Sequence, residues 1–303
     1  MRVIKPVSVT DATLTSSTIA EPDSGEIEYT AGTYNTGDKR IKSSTHRVYE
    51  VVAVPSTTDT PEVGILALPP TWVDVGPTNK WAMFDSSNST ATTDNLALNI
   101  GVTPTSLVNS IAGFAIDGAS SLSVTVSNGI SDVYSKDIFM RDNSERADWY
   151  QFFFSPIIAI NRFILTDLPP VISKLVTVSM LGSGDIKLGN LVIGSYSDLG
   201  TAVHGTSWQG LDFSIRTPDG FGGFEIIRRR TADIMDYDCT LPKSKFSYTK
   251  SLLKSLSQVE TVWIGNHLDI NDGTAVFGYH NDSQINISTP TQIDMTIKVQ
   301  ELI

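Results

Sequence analysis

The sequence predicts a mainly β protein: a small aromatic-rich β module, a jelly-roll-like β-sandwich, and a C-terminal α+β domain with an antiparallel sheet and one helix. Three observations carry this expectation. Val, Ile, Phe and Thr recur in short runs with period-two alternation, the pattern of a strand with one buried face. The runs are separated by Gly, Ser, Thr, Asn and Asp, which accommodate tight turns, and the chain holds 22 glycines and 14 prolines. A clear helical period occurs in one place, 243–260. At 303 residues the chain is longer than one ordinary core accommodates, so several domains are expected.

Residues 1–26 open with the apolar–polar alternation MRVIKPVSV and pass into TLTSSTIAEPDSGE, which is polar and has no helical period. They read as an extended N-terminal arm. An extended segment satisfies its backbone groups on a neighbour's sheet edge; a strand packed on its own domain is the alternative.

Residues 27–84 form the aromatic module. Tyr29, Tyr34, Tyr49, Trp72, Trp81 and Phe84 lie among the turn residues Gly32, Gly37, Gly76 and Pro77. Exposed flat rings are what a sugar-binding or protein-binding surface uses, so Tyr34, Tyr49 and Trp72 are candidate glycan-binding residues. The competing reading is that Trp72, Trp81 and Phe84 fill the core of a module too small to bury much else. Pro55, Pro61, Pro69 and Pro70 remove ladder donors, so the intervening loop is expected to run over the surface.

Residues 85–215 read as the sandwich, after the polar linker candidate DSSNSTATTDN (85–95). In SLSVTVSNGISDVY (121–134), Leu122, Val124 and Val126 share a face, and Asn128-Gly129 is a hairpin dipeptide before a returning strand with Ile130 and Tyr134. Further strands are expected at 95–100, 110–116, 149–154, 161–167, 174–180 and 190–196. The glycine-rich GSGDIKLGN (182–190) leads into a strand rather than a helix, so it reads as a tight β-connection and not a phosphate loop.

Residues 216–303 form the α+β domain. Tyr248, Leu252, Leu256 and Val259 stand at spacings of four, four and three, with Lys250 and Lys254 opposite, so the helix is expected to bury that stripe. The strand QIDMTIKV (292–299) alternates Ile293, Met295, Ile297 and Val299 with Asp294, Thr296 and Lys298.

Composition bounds the function classes. A net charge of −11 argues against broad nucleic-acid binding, since phosphate contacts need clustered Lys and Arg. Arg228-Arg229-Arg230 reads as a solvated strand end or an interface opposite an acidic neighbour subunit. A single cysteine, Cys239, excludes an internal disulfide framework and a Cys-rich zinc site. The longest apolar stretch, FFFSPIIAI (152–160), is too short for a membrane helix, and neither a secretion signal nor membrane insertion is expected.

No catalytic set is expected either. GTSWQG (205–210) and LGSGD (181–185) lack nucleophile-elbow spacing. His46, His204, His267 and His280 lie in separate segments, as surface or sheet-end residues rather than zinc ligands. LDINDG (268–273) offers Asp269, Asn271 and Asp272, but Gly273 and His280 fall where a calcium loop does not place them, so an Asn–Asp turn is preferred. No metal and no cofactor are therefore expected.

The loop G-x-x-Y-x-x-G-D around Tyr34, the V-Y-E strand at Tyr49 and the W-V-D-V-G at Trp72 resemble the small carbohydrate-binding modules attached to chitinases. The equivalent of their neighbouring aromatic pair is missing from AVPSTTDTPEVGILALPP (53–70). GPTNKWAMFD (76–85), DWYQFFFSPI (148–157), KLGNLVIGSYSDLG (187–200) and FGGFEIIRRRTADIM (221–235) are similar to virion proteins of tailed bacteriophages of the carbohydrate-binding tail or baseplate type. This resemblance implies a structural component of a phage tail, at the baseplate or tail tip, made in the host cytoplasm and carried in the virion. Its implied partners are other tail proteins, further copies of itself in a ring, and a host surface glycan. A glycan-binding attachment module is the alternative, and a polysaccharide depolymerase a third.

Overall fold

The computed structural model describes residues 1–87, 89–142, 148–154, 158–203, 205–218, 223–266 and 273–302, with the backbone alone for 151–153. The protein is mainly β, with 54% of residues in strands and 9% in helices. Its dominant element is one 13-stranded sheet whose ladders are all antiparallel.

The sheet is organised by a single strand, Leu175–Asp198, of 24 residues. It pairs along most of its length with Ser110–Ser127, from Leu175 opposite Ser127 to Gly194 opposite Ser110. On its other edge the first half meets Thr92–Val102, and the last residues meet Arg2–Pro6. From Arg2–Pro6 the sheet continues through Thr261–Ile264, Val276–Asn286, Gln292–Glu301 and Thr231–Pro242.

The two largest cores follow from this division. The sandwich-like part buries Leu98, Ile100, Leu122, Val124, Val126, Val176, Val178 and Met180, all alternating on their strands. The C-terminal part buries Met235, Tyr237, Cys239 and Leu241 against Ile293, Met295, Ile297 and Val299, with Leu253 and Leu256 of the helix above them. Alternation across 292–299 is as read from the sequence. The hairpin at Asn128-Gly129 also forms, Gly129 at φ +87°, but Ile130 stands in its loop and is 96% exposed.

The N-terminal arm is a correction. Arg2–Pro6 is an interior strand, bonded on one edge to Gly194–Asp198 and on the other to Val262–Ile264. Val3 and Ile4 are both buried and belong to different cores, Val3 to the C-terminal one and Ile4 to the opposite face with Phe114, Val262 and Phe277. A strand covered on both faces carries consecutive apolar residues instead of strict alternation. Leu14–Ser17 then pairs with Thr92–Val102, so most of 1–26 is part of the body.

Other expectations change as well. The strands expected at 174–180 and 190–196 are one strand, and GSGDIKLGN is a bulge within it rather than a connection, with the register shifting around Gly182. The cause is close backbone approach. A Cβ on Gly118 would lie 2.0 Å from the Asp185 carbonyl oxygen, and one on Gly182 would lie 2.4 Å from that of Gly118. The strand expected at 149–154 is a short helix, Trp149–Phe154. Aromatic β-propensity reflects fit to a half-buried pleated surface, and Trp149, Tyr150 and Phe154 are 79%, 72% and 72% exposed.

The boundary expected at 215/216 falls inside a hairpin, where Ile215–Pro218 pairs with Phe224–Ile227. The linker expected at 85–95 runs into a strand, since Thr92–Val102 begins within it. Within the loop expected around 55–62 begins the helix Pro61–Leu66, with Pro61 in its first turn, where a missing N–H is harmless.

The C-terminal helix, Phe246–Ser255, is rotated from the stripe read in the sequence. Thr249, Leu253 and Leu256 are buried, Leu252 lies at the rim and Tyr248 is 55% exposed. Leu253→Ala is accordingly expected to cost ~2–4 kcal/mol and Leu252→Ala about half of that or less. Urea titrations of the two variants check the order, and a larger loss at Leu252 restores the original stripe.

Candidate functional site

The aromatic module is built on a three-stranded sheet, Lys39–Lys42, Arg47–Val51 and Trp72–Pro77. Its core holds Tyr34, Tyr49, Val51 and Trp72. Tyr34 is 6%, Tyr49 4% and Trp72 1% exposed, so the three candidate glycan-binding rings present no face to a sugar, which corrects that expectation. Their polar ends are satisfied internally. The Tyr34 hydroxyl donates to the Thr30 carbonyl at 2.5 Å, the Trp72 indole N–H to the Asp59 carbonyl at 3.0 Å, and the Tyr49 hydroxyl meets Thr45 Oγ1 at 3.0 Å.

The rings pack edge-on, Tyr34 at 5.4 Å and Tyr29 at 6.1 Å from Trp72 between centroids. The helix Pro61–Leu66 closes over the indole at Gly64, where a Cβ would come 2.3 Å from Trp72 Cδ1. A module this small has few other groups to bury, so its largest rings become its core.

The best-built polar constellation lies where the module meets the body. The Glu21 side chain, 6% exposed, accepts from the Thr78 hydroxyl at 2.7 Å, the Trp81 indole N–H at 2.9 Å and His46 Nδ1 at 3.1 Å. His46 Nε2 lies 3.2 Å from Asp11 Oδ2, and the ring stacks on Trp81 at 4.1 Å. A carboxylate faces each ring nitrogen, so both are engaged within the cluster. The cluster is a fastening of segment 11–21 to the module. Met83, two residues beyond Trp81, is buried in the sandwich core and completes the joint.

Nothing in the sequence pairs His46 with Glu21, which lie 25 positions apart with short strands and turns between them. Glu21→Ala leaves the Trp81 and Thr78 donors without their acceptor and is expected to cost ~2–4 kcal/mol. A thermal melt checks this, and an unchanged midpoint removes the cluster's structural role.

Of the other histidines, His280 lies edge-on to Trp263 at 5.6 Å, and burial pushes its pKa below the ordinary range. His204, His267 and most of LDINDG (268–273) lie outside the described residues. Among the described residues no three His, Cys, Asp or Glu side chains gather as a metal site, and no helix is long and apolar enough to cross a membrane.

Exposed apolar side chains concentrate elsewhere, on a projecting hairpin. Ser207–Asp212 pairs with the start of Thr231–Pro242, and beyond it Ile215–Pro218 pairs with Phe224–Ile227. Trp208 is 63%, Phe224 68%, Ile226 56% and Ile227 51% exposed. At the hairpin's root, Arg162, Arg229 and Arg230 line a groove of about 410 Å³ with Glu301. Two of these arginines are held by neutral acceptors: Arg162 Nη1 donates to the Ala275 carbonyl at 2.8 Å, and Arg230 Nη2 to that of Ser89 at 3.3 Å.

No family model, curated protein or solved structure matches this chain. The surface must therefore be read from its own residues. Sequence reasoning named the arginine run but passed over the apolar residues beside it. The signal was present in FEIIRRR (224–230), where consecutive apolar residues precede consecutive charges without the alternation of a half-buried strand.

Proposed function

We propose that this chain is a structural component of a bacteriophage tail, at the baseplate or tail tip, that assembles with other virion proteins and with copies of itself, and performs no catalysis. The observation that carries the assembly role is the projecting hairpin, whose outer ladder has every side chain exposed, large apolar ones included. Large contiguous apolar surface on a soluble protein marks a contact surface. The tail assignment draws on the resemblance of the motifs at 76–85, 148–157, 187–200 and 221–235 to tailed-phage virion proteins.

The glycan-binding reading loses the residues on which it stood, since Tyr34, Tyr49 and Trp72 are interior. Mass spectrometry of purified particles from the phage encoding the chain, with labelling of the tail by antibody, tests the proposal. Stoichiometric presence at the tail tip is expected. Absence from intact particles overturns it.

A further inference from the structure

We infer that the outer part of this hairpin, 213–230, docks onto a second copy of this chain, a reading that rests on the assembly role proposed above. The outer ladder, Ile215–Pro218 with Phe224–Ile227, forms a sheet of its own with two strands, and neither edge has a third strand among the described residues. Residues opposite one another in an antiparallel ladder share a face. One face therefore carries Ile215 and Ile227 beside Thr217 and Glu225, and the other Ile226, Phe224 and Pro218 beside Arg216, so large apolar side chains stand on both sides and are covered on neither. An isolated two-stranded ribbon is marginal in water, and unpaired edges invite further strands. A hairpin that served only its own body would bury one of its faces.

Charge selects the partner. Segment 213–230 carries Arg216, Arg228, Arg229 and Arg230 against Asp219 and Glu225, so it is +2 while the rest of the chain is −13. Among the described residues, the Arg229 guanidinium has no carboxylate partner, and the arginine-lined groove lies beside it. A basic, apolar projection on an acidic body is complementary to another copy of that body, and long-range attraction steers such an encounter. Contact between a hairpin and a different surface of the next copy is heterologous, the kind that closes into rings.

Sedimentation velocity of the full chain over a wide range of concentration tests the inference, with circular dichroism confirming that variants fold. The wild-type chain is expected to associate, and less so at high salt. The double variant Phe224→Ser/Ile226→Ser is expected to weaken association by roughly tenfold or more, as removal of interface anchors does. Arg229→Glu is expected to weaken it and flatten its salt dependence. Association equal to wild type in the double variant overturns the hairpin as the contact while leaving the assembly role standing. A wild-type chain that stays monomeric throughout overturns docking on a second copy, and the particle measurement then reads the tail assignment independently.

Discussion

Ile4→Asp is expected to unfold the protein or bring it close to unfolding. Ile4 is fully buried among Phe114, Val192, Val262 and Phe277, on a strand with hydrogen-bonded neighbours on both edges. Losing its packing and burying an unpaired carboxylate together cost about 4 kcal/mol or more. A domain has only ~5–15 kcal/mol of stability in all. Lys5→Ala, one residue away on an exposed side chain, is the control and is expected to change stability by less than ~0.5 kcal/mol. Denaturant titration reads both. A melting temperature near wild type in Ile4→Asp returns residues 1–6 to the status of a detachable arm.

Trp72→Ala is expected to unfold the aromatic module and leave the rest in place. The indole is 1% exposed, donates to Asp59, and supports Tyr29 and Tyr34, so its removal costs ~3–5 kcal/mol. The module's own core has few other members, so the loss falls locally. Limited proteolysis is expected to cut within 27–84 first. Cys239 serves as the opposite reporter: it is 1% exposed and burial pushes its thiol up to about 12, so it reacts with a maleimide only when the C-terminal core opens. Fast cleavage with Cys239 still protected is the expected pair of results. A module as resistant as wild type contradicts the structural role of the ring.

These two sites show what the sequence made legible and what it concealed. Alternation at Leu122, Val124 and Val126 and at Ile293, Met295, Ile297 and Val299 was readable because each strand has one dry face, and period two then appears in the residues themselves. The alternation read across MRVIKPVSV hid Val3 and Ile4, because a strand buried on both sides carries adjacent apolar residues, a short run shared by arms and cores alike. Trp149 to Phe154 misled for the converse reason: ring propensity was taken as strand, although Trp149, Tyr150 and Phe154 are largely exposed on a short helix. Tyr34, Tyr49 and Trp72 were correctly grouped, and only their direction was wrong. Composition cannot say whether a ring on a small sheet faces in or out, whereas Gly64 closing over the indole decides it. The Glu21–His46–Trp81 fastening was out of reach, since it joins three turn segments that no local pattern relates.

The place of Arg2–Pro6 in the sheet also bears on how the chain is made. Pro6 lies opposite Gly194, and Arg2 opposite Ile264, so neither neighbour of this strand exists when the ribosome first extrudes it. At ~5–20 residues per second, its nearer partner arrives on the order of ten seconds or more later, and the farther one later still. Throughout that interval Val3 and Ile4 have no core to enter. The ladders of the aromatic module and the hairpin at Asn128-Gly129 can form by then, since those pairings are local. Closure of the sheet between its two halves therefore waits for residue 264, and a nascent chain stalled before it leaves Arg2–Pro6 open to capture by another nascent chain on the same message.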